Sequence, residues 1–405
     1  MKLRCDAPFK NCAAIWQKCQ SLIAGIRQKN EPSLRGFSAN SEQALPEAIP
    51  SNLVGTLNYN QTAFTICRGL PRRARTLLPM TVYWLGISLV IPTISSAQIF
   101  NKKEPLAHTF SIVARDEKTG EMAVGVQSHW FSVGTAVSWG EGGVGVVATQ
   151  SFVLKSYGPR GLELMKQGKS AKDALDLLLQ QDEGREVRQV AMIDTNGNVA
   201  AHTGNKCIDF ASHIVGRNYS VKSNMMLNNK VCPAMSKAFE ASAGKPLAER
   251  VLIALQAAQA AGGDIRGKQS AAILVVSGRS TGKPWDEKLI DLRVDDHAAP
   301  LVEMDRLLRL FRAYEHMNNG DLAVEKNNMK LAMDEYSAAM KMFPTNLEMQ
   351  YWTAITLANN KEVKKAAAML QKIYAKDANW KELTKRLPKV GLLTVSESDL
   401  KLLMK

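Results

Sequence analysis

Two hydroxyls open the first strand-like pattern of the chain, Thr109 and Ser111 in the run from Thr109 to Ala114. Side chains two residues apart on a strand share a face. A Thr or Ser hydroxyl beside a base is a candidate nucleophile for acyl transfer. The plainer reading is that Thr109 is a β-branched residue starting a strand. Ser111 is then the backup hydroxyl. Other polar residues gather at the ends of expected strands. His129 ends the second, His202 and Thr203 end a later one, and Asn224 follows another. Asp264, Arg266, Gln269 and Ser270 occupy the loop into the last strand. Strand ends and adjoining loops are where sites are usually built. Asn224 offers N–H donors to an oxyanion, or is a turn residue. Asp264 and Arg266 read most simply as an ion pair, and His202 as a satisfied strand histidine.

Several chemistries lack their residues. The glycines 140, 142, 143 and 145 are not followed by Gly-Lys-Ser/Thr, so they read as a tight turn and not as a phosphate loop. No CxxC or Cys/His ligand spacing stands in the chain, and no metal or cofactor is expected. Cys207 and Cys232 either form one disulfide in an oxidising compartment or serve as two small buried apolar residues.

The elements that must position these residues follow from the period of the apolar pattern. Strands are expected at 109–114, 122–126, 135–139 and 144–149, then helices at 159–167 and 170–181, the second capped by Ser170. Strands resume at 188–194 and 199–203 around Asn196-Gly197, a strong hairpin signal. A strand at 219–223, helices at 230–243 and 246–261, and a buried strand at 271–277 complete the order. Two helical pairs and mostly antiparallel strands most economically give an α+β domain of two packed sheets between helical layers, a four-layer αββα arrangement.

The segments HTFSIVARD (108–116), GVVATQ (145–150), YGPRG (157–161), RQVAMID (188–194), AHTG (201–204) and AGGDIRGKQSA (261–271) resemble one bacterial family. It is domain of unknown function 1028, and the similarity runs in order over residues 107–280. The resemblance implies the fold of N-terminal-nucleophile (Ntn) hydrolases. Such enzymes use the first residue of a strand as nucleophile and its own α-amine as base, with a pKa near 8. It places Thr109 in that role. His129, Asn224, Asp264 and Arg266 are its candidate companions, and the implied activity is hydrolysis of an amide or peptide bond in a peptide or small-molecule substrate. A free Thr109 amine requires cleavage between His108 and Thr109, because the chain continues upstream. The alternative is a catalytically silent Ntn-like scaffold that binds a ligand or a cell-envelope component.

From Met304 onward helices dominate. Gly320, Ala332, Tyr336, Ala339 and Pro344 fall at tetratricopeptide-like offsets, and a shift of about 34 residues lands on Ala354, Ala366, Leu370, Ile373 and Ala378. The expectation is an all-α helical-repeat domain over 304–405, capped near 396–404, with 281–303 as linker, that recruits a protein or peptide partner.

Hydrophobic content of 45% and charged content of 22% are those of a globular protein. Of the net charge of +14, residues 1–79 carry half, with eleven Lys/Arg against four Asp/Glu. The rest is dispersed, so no basic footprint for nucleic acid forms. Arg72 to Ala97 reads as a basic segment, an apolar run and a small-residue cleavage site, a signal peptide that touches the membrane only transiently. A periplasmic or secreted protein starting near Gln98 is expected, with 1–71 an odd leader, 98–106 a linker, and homo-oligomerisation open.

Overall fold

The computed structural model describes residues 106–405. The leader, the signal segment and most of the linker expected after it lie outside the described residues. Among the described residues no helix is long and apolar enough to cross a membrane.

The protein is a mixed α/β structure with two antiparallel sheets and a C-terminal helical region. The first sheet holds β1 (Leu106–Ala107), β4 (Ser138–Glu141), β5 (Gly145–Phe152), β6 (Arg188–Asp194) and β7 (Val199–Thr203). Its order is β1-β5-β6-β7, with β4 also on β5. The second runs β11-β10-β3-β2-β9-β8, where β2 is Thr109–Arg115, β3 Met122–Ser128, β8 Ser212–Gly216, β9 Tyr219–Ser223, β10 Ser270–Val276 and β11 Lys288–Val294.

Strand alternation distributes the apolar side chains over three cores. In β2, Val113 joins Val124, Val126, Val146, Ile193 and Leu274 in a cluster drawn from both sheets. Phe110, Ile112 and Ala114 point the other way, onto α4 (Val231–Ala241) and α5 (Leu247–Ala260). On the first sheet Val147, Val190 and Met192 pack against α2 (Tyr157–Lys166) and α3 (Ala171–Gln180). Strands such as β6 are buried on both faces, so they read as near-continuous apolar runs. Gly125 of β3 lets α5 approach the sheet closely; an added Cβ there would lie 2.2 Å from Val251 Cγ1.

Local signals behave as expected where one residue controls them. Ser170 accepts from the Asp173 N–H at 3.1 Å and caps α3. The β6–β7 turn places Gly197 at φ 86°, and Asp194 accepts from the N–H groups of Asn196, Asn198 and Ala171.

Three expectations are corrected. Residues 135–139 do not begin as a strand: a helical turn, α1 (Gly134–Val137), comes first and β4 follows. Gly134 sits against Ala272, where a Cβ would come within 2.6 Å, and Ala136 and Val137 enter the inter-sheet core. The segment 281–303 is not simply a linker, because it carries α6 (Pro284–Glu287), β11 and the start of the next helix. Strand β8 was not expected at all. It and β11 are the two edges of the six-stranded sheet and carry exposed polar residues. Edge strands need only one apolar face and one row of partners, so their pattern is weak.

The tail begins with α7 (Pro300–Glu325), followed by α8 (Met329–Met342), α9 (Leu347–Asn359), α10 (Val363–Tyr374), α11 (Asn379–Arg386) and α12 (Glu397–Leu403). The first turns of α7 belong to the α/β core through Leu301, Met304 and Leu308. Arg312 anchors the helix further by pairing with Glu249 of α5 at 2.8 and 3.0 Å. Beyond it the helices pack on one another through small residues, Gly320 lying against the Tyr336 ring and Ala332, Ala339, Ala354 and Ala366 fully buried.

Candidate functional site

Thr109 starts β2, and its hydroxyl is fully buried. Just before it, Leu106 and Ala107 form the short strand β1: Leu106 pairs with Phe152 and Ala107 with Ser151 on β5, and His108 links β1 to Thr109. Thr109 Oγ1 donates to Ala107 O at 2.5 Å.

The carbonyl of His108, on the peptide bond to Thr109, is held by two donors. Ser128 Oγ donates to it at 2.6 Å and Arg266 Nη2 at 2.8 Å. Ser128 is opposite Thr109 in the β2–β3 pairing, so sheet register places it. Arg266 is placed by Asp264, whose buried carboxylate accepts from Arg266 Nη2 at 2.7 Å, Nε at 3.0 Å and N at 2.9 Å. The loop is fastened to the residues after β9 by a bridge between Met226 and Asp264. Met225 beside it adopts a positive φ of 57°, a costly conformation for a non-glycine residue.

Behind Thr109 a chain of amides crosses from one sheet to the other, and its polarity is determined by the backbone. Gln189 Nε2 faces the carbonyls of Ser212 and Ser223, at 3.2 and 2.9 Å, so that end must be the donor. Gln189 Oε1 therefore accepts, from Gln150 Nε2 at 2.7 Å and Asn224 Nδ2 at 2.9 Å. Each of these residues then presents its oxygen. Gln150 Oε1 accepts from Ser111 Oγ at 2.5 Å, and Asn224 Oδ1 lies 2.7 Å from His108 Nδ1, which must be the protonated nitrogen. The His108 ring is 2% exposed and meets Phe152 edge-on at 5.5 Å. Burial is the main influence holding its pKa below the usual histidine range, and the Arg266 charge acts in the same direction.

The residues named from sequence therefore divide. Thr109, Asn224, Asp264 and Arg266 converge on the His108–Thr109 peptide. Asp264 and Arg266 do form an ion pair, and the pair aims the guanidinium at His108 O. Ser111 lies on the same face as Thr109, but its hydroxyl is committed to Gln150. His129 enters through its backbone N–H, which donates to Asp264 Oδ2 at 3.2 Å; its side chain is exposed. His202 lies elsewhere, with Nε2 2.8 Å from Arg185 O. Cys207, in the loop after β7, and Cys232, in α4, are free and buried. Among the described residues no group of three or more His, Cys, Asp or Glu is placed to hold a metal.

Sequence reasoning passed over Ser128, Gln150, Gln189 and Lys222. Lys222 stands opposite Ser111 in the β2–β9 pairing and is fully buried, and its Nζ has no hydrogen-bond partner. Burial pushes its pKa down to about 7, because removal from water disfavours the charged amine. The sequence signal was present: Tyr219 to Ser223 reads as a strand with Val221 on one face, which puts Lys222 on the other. That both faces of this strand are buried is a tertiary fact.

Residues 109–304 match the family model described as "Family of unknown function (DUF1028)". A solved structure similar to this chain is the crystal structure of protein SPO2555 from Silicibacter pomeroyi, also assigned to that family model. The identity is 31%, covering 50% of this chain and 88% of that one, with a TM-score of 0.45. No curated protein matches the chain.

Proposed function

The chain belongs to the family of unknown function DUF1028, and on that premise we propose that it is a self-processing, Ntn-type amide hydrolase whose nucleophile is Thr109. The supporting observation is the pair of donors on His108 O, Ser128 Oγ and Arg266 Nη2. Preorganised donors on the oxygen of one particular peptide bond are what attack at its carbon requires, because negative charge develops on that oxygen. The three packed cores, helices outside two facing sheets, support the αββα arrangement of this reading.

In the processing step Thr109 Oγ1 adds to the His108 carbonyl carbon and the tetrahedral oxygen is held by Ser128 and Arg266. The C–N bond then breaks, and the nitrogen takes a proton to become the free α-amine of Thr109. The acyl group is left as an ester on Oγ1, which water hydrolyses to release the His108 carboxylate. Lys222, opposite Ser111 and so two residues along β2 from Thr109, is the basic group available to carry the hydroxyl proton. Once free, the Thr109 amine has an ordinary pKa near 8 and serves as base for the next amide.

The test is the N-terminus of the exported protein. Wild-type chain is expected to begin at Thr109 and Thr109→Ala to keep its upstream residues, as read by intact mass and terminal sequencing. A wild-type chain beginning near Gln98 would remove the nucleophile reading. The second reading, a ligand-binding scaffold without catalysis, would then stand, favoured by the donation of Thr109 Oγ1 to Ala107 O within an unbroken chain. In both readings the tail, with its buried small residues at tetratricopeptide-like positions, is an exported partner-binding module.

A further inference from the structure

The residues that block Thr109 also outline what the freed site would accept. This inference rests on the processing reading above. We propose that the track now filled by Leu106, Ala107 and His108 is the acyl-side substrate site. The substrate would be an extended peptide that adds as a strand to β5 and carries a neutral N–H donor at the position of His108.

Three features lead there. The first is the edge of β5. β4 covers β5 only from Gly145 to Ala148, while Ser151 and Phe152 pair with β1. Departure of residues 106–108 removes β1 from that edge of β5, whose other edge stays paired with β6. A sheet edge open to an incoming strand recognises an extended peptide through main-chain hydrogen bonds. Ser151, opposite Ala107, has a positive φ of 74°, an unusual conformation held at the point of pairing.

The second is size. Ala107 is fully buried in the inter-sheet core, so the corresponding substrate residue must be small.

The third is the polarity of the amide chain. The carbonyls of Ser212 and Ser223 orient Gln189, Gln189 orients Asn224, and Asn224 is left presenting an acceptor to whatever occupies the His108 position. A side chain without a donor there strands Asn224 Oδ1 in a buried site, which costs more than a lost contact. Phe152 beside it favours a planar group. Arg266 disfavours a cation and Asp264 an anion, so the group recognised is neutral.

The experiment uses the full chain and its own cleavage as a first readout. His108→Gln keeps an N–H donor, whereas His108→Phe keeps a ring against Phe152 and removes the donor. The expected result is that His108→Gln matures at a rate near wild type, and that His108→Phe yields the Thr109 terminus about 10–100-fold more slowly. The matured wild-type protein is then given the coumarin amides of Leu-Ala-His, Leu-Ala-Phe and Leu-(N-methyl-Ala)-His. Preference for the first by about tenfold or more in kcat/KM over both others supports the site. A Thr109 terminus with equal cleavage of the two variants, or with amide hydrolysis indifferent to both substrate changes, overturns the substrate site and leaves the nucleophile standing. Absence of any Thr109 terminus in wild type overturns both.

Discussion

Arg266 Nη2 lies 2.8 Å from the carbonyl oxygen of His108, across 158 residues of chain, and the same guanidinium is clamped by the buried Asp264. A charged donor is thus fixed on one backbone carbonyl by a carboxylate that accepts three further hydrogen bonds, from Arg266 N, Arg266 Nε and the His129 N–H. Backbone carbonyls beside the start of a strand do not need a guanidinium for satisfaction. This relationship is the reason to regard the His108–Thr109 bond as the reacting group.

Removing one such donor should slow maturation and leave the fold intact. Arg266→Ala and Ser128→Ala are each expected to slow the appearance of the Thr109 terminus by about 10²–10³-fold. A time course of intact mass during export reads this directly, with circular dichroism as the folding control. Maturation of both variants at the wild-type rate would rule out an oxyanion role for the two donors.

Lys222 gives a pH prediction. Its folded pKa of about 7 lies below the value of about 10.4 of an unfolded lysine. Between these values the unfolded chain binds the extra proton, so stability from this group rises with pH from 7 to about 10 and is lost as pH falls. Below 7 both states are protonated and the penalty is constant. Lys222→Met should therefore stabilise the protein at pH 6 by an amount on the order of a few kcal/mol. The advantage should shrink toward pH 10. Urea midpoints at pH 6, 8 and 10 measure it, and a constant difference across the three would contradict the buried, partnerless amine.

Gly125→Ala tests the packing of α5 on the second sheet. The new methyl would lie 2.2 Å from Val251 Cγ1 and 3.2 Å from Leu255 Cδ1, both inside the core. Overpacking of that kind costs about 1–3 kcal/mol. The expected result is a lower urea midpoint with an unchanged slope; an unchanged midpoint would mean that α5 is free to shift.

Gly320→Ala tests the tail by itself. Its Cβ would meet the Tyr336 ring at 2.4 Å, and Tyr336 is also tied to Asp321 through its hydroxyl at 2.6 Å. Separation of α7 and α8 should raise amide exchange over Met329–Met342 and leave β2 and β3 protected, since regions open in local units. Uniform exchange change over both would show one cooperative unit.

How much of this was legible in the chain varies with how local the cause is. The strand starting at Thr109, the Ser170 cap, the Asn196-Gly197 turn and the helices before and after them follow from side-chain period and single-residue conformational preference. These act within a few residues. The family resemblance added the nucleophile role proposed for Thr109, whereas the gathering of Asn224, Asp264 and Arg266 at strand ends follows from the strand pattern. Local pattern could not show the two edge strands β8 and β11, because an edge strand is defined by its neighbour and not by its own burial. Nor could it show that Ser111 is engaged by Gln150 from the facing sheet, or that Lys222 lies in a strand buried on both sides. The direction of every amide between Gln189 and His108 depends on two carbonyls that arrive from β8 and β9. Hydrogen-bond polarity passes through space from partner to partner, so it became readable only when the two sheets were packed face to face.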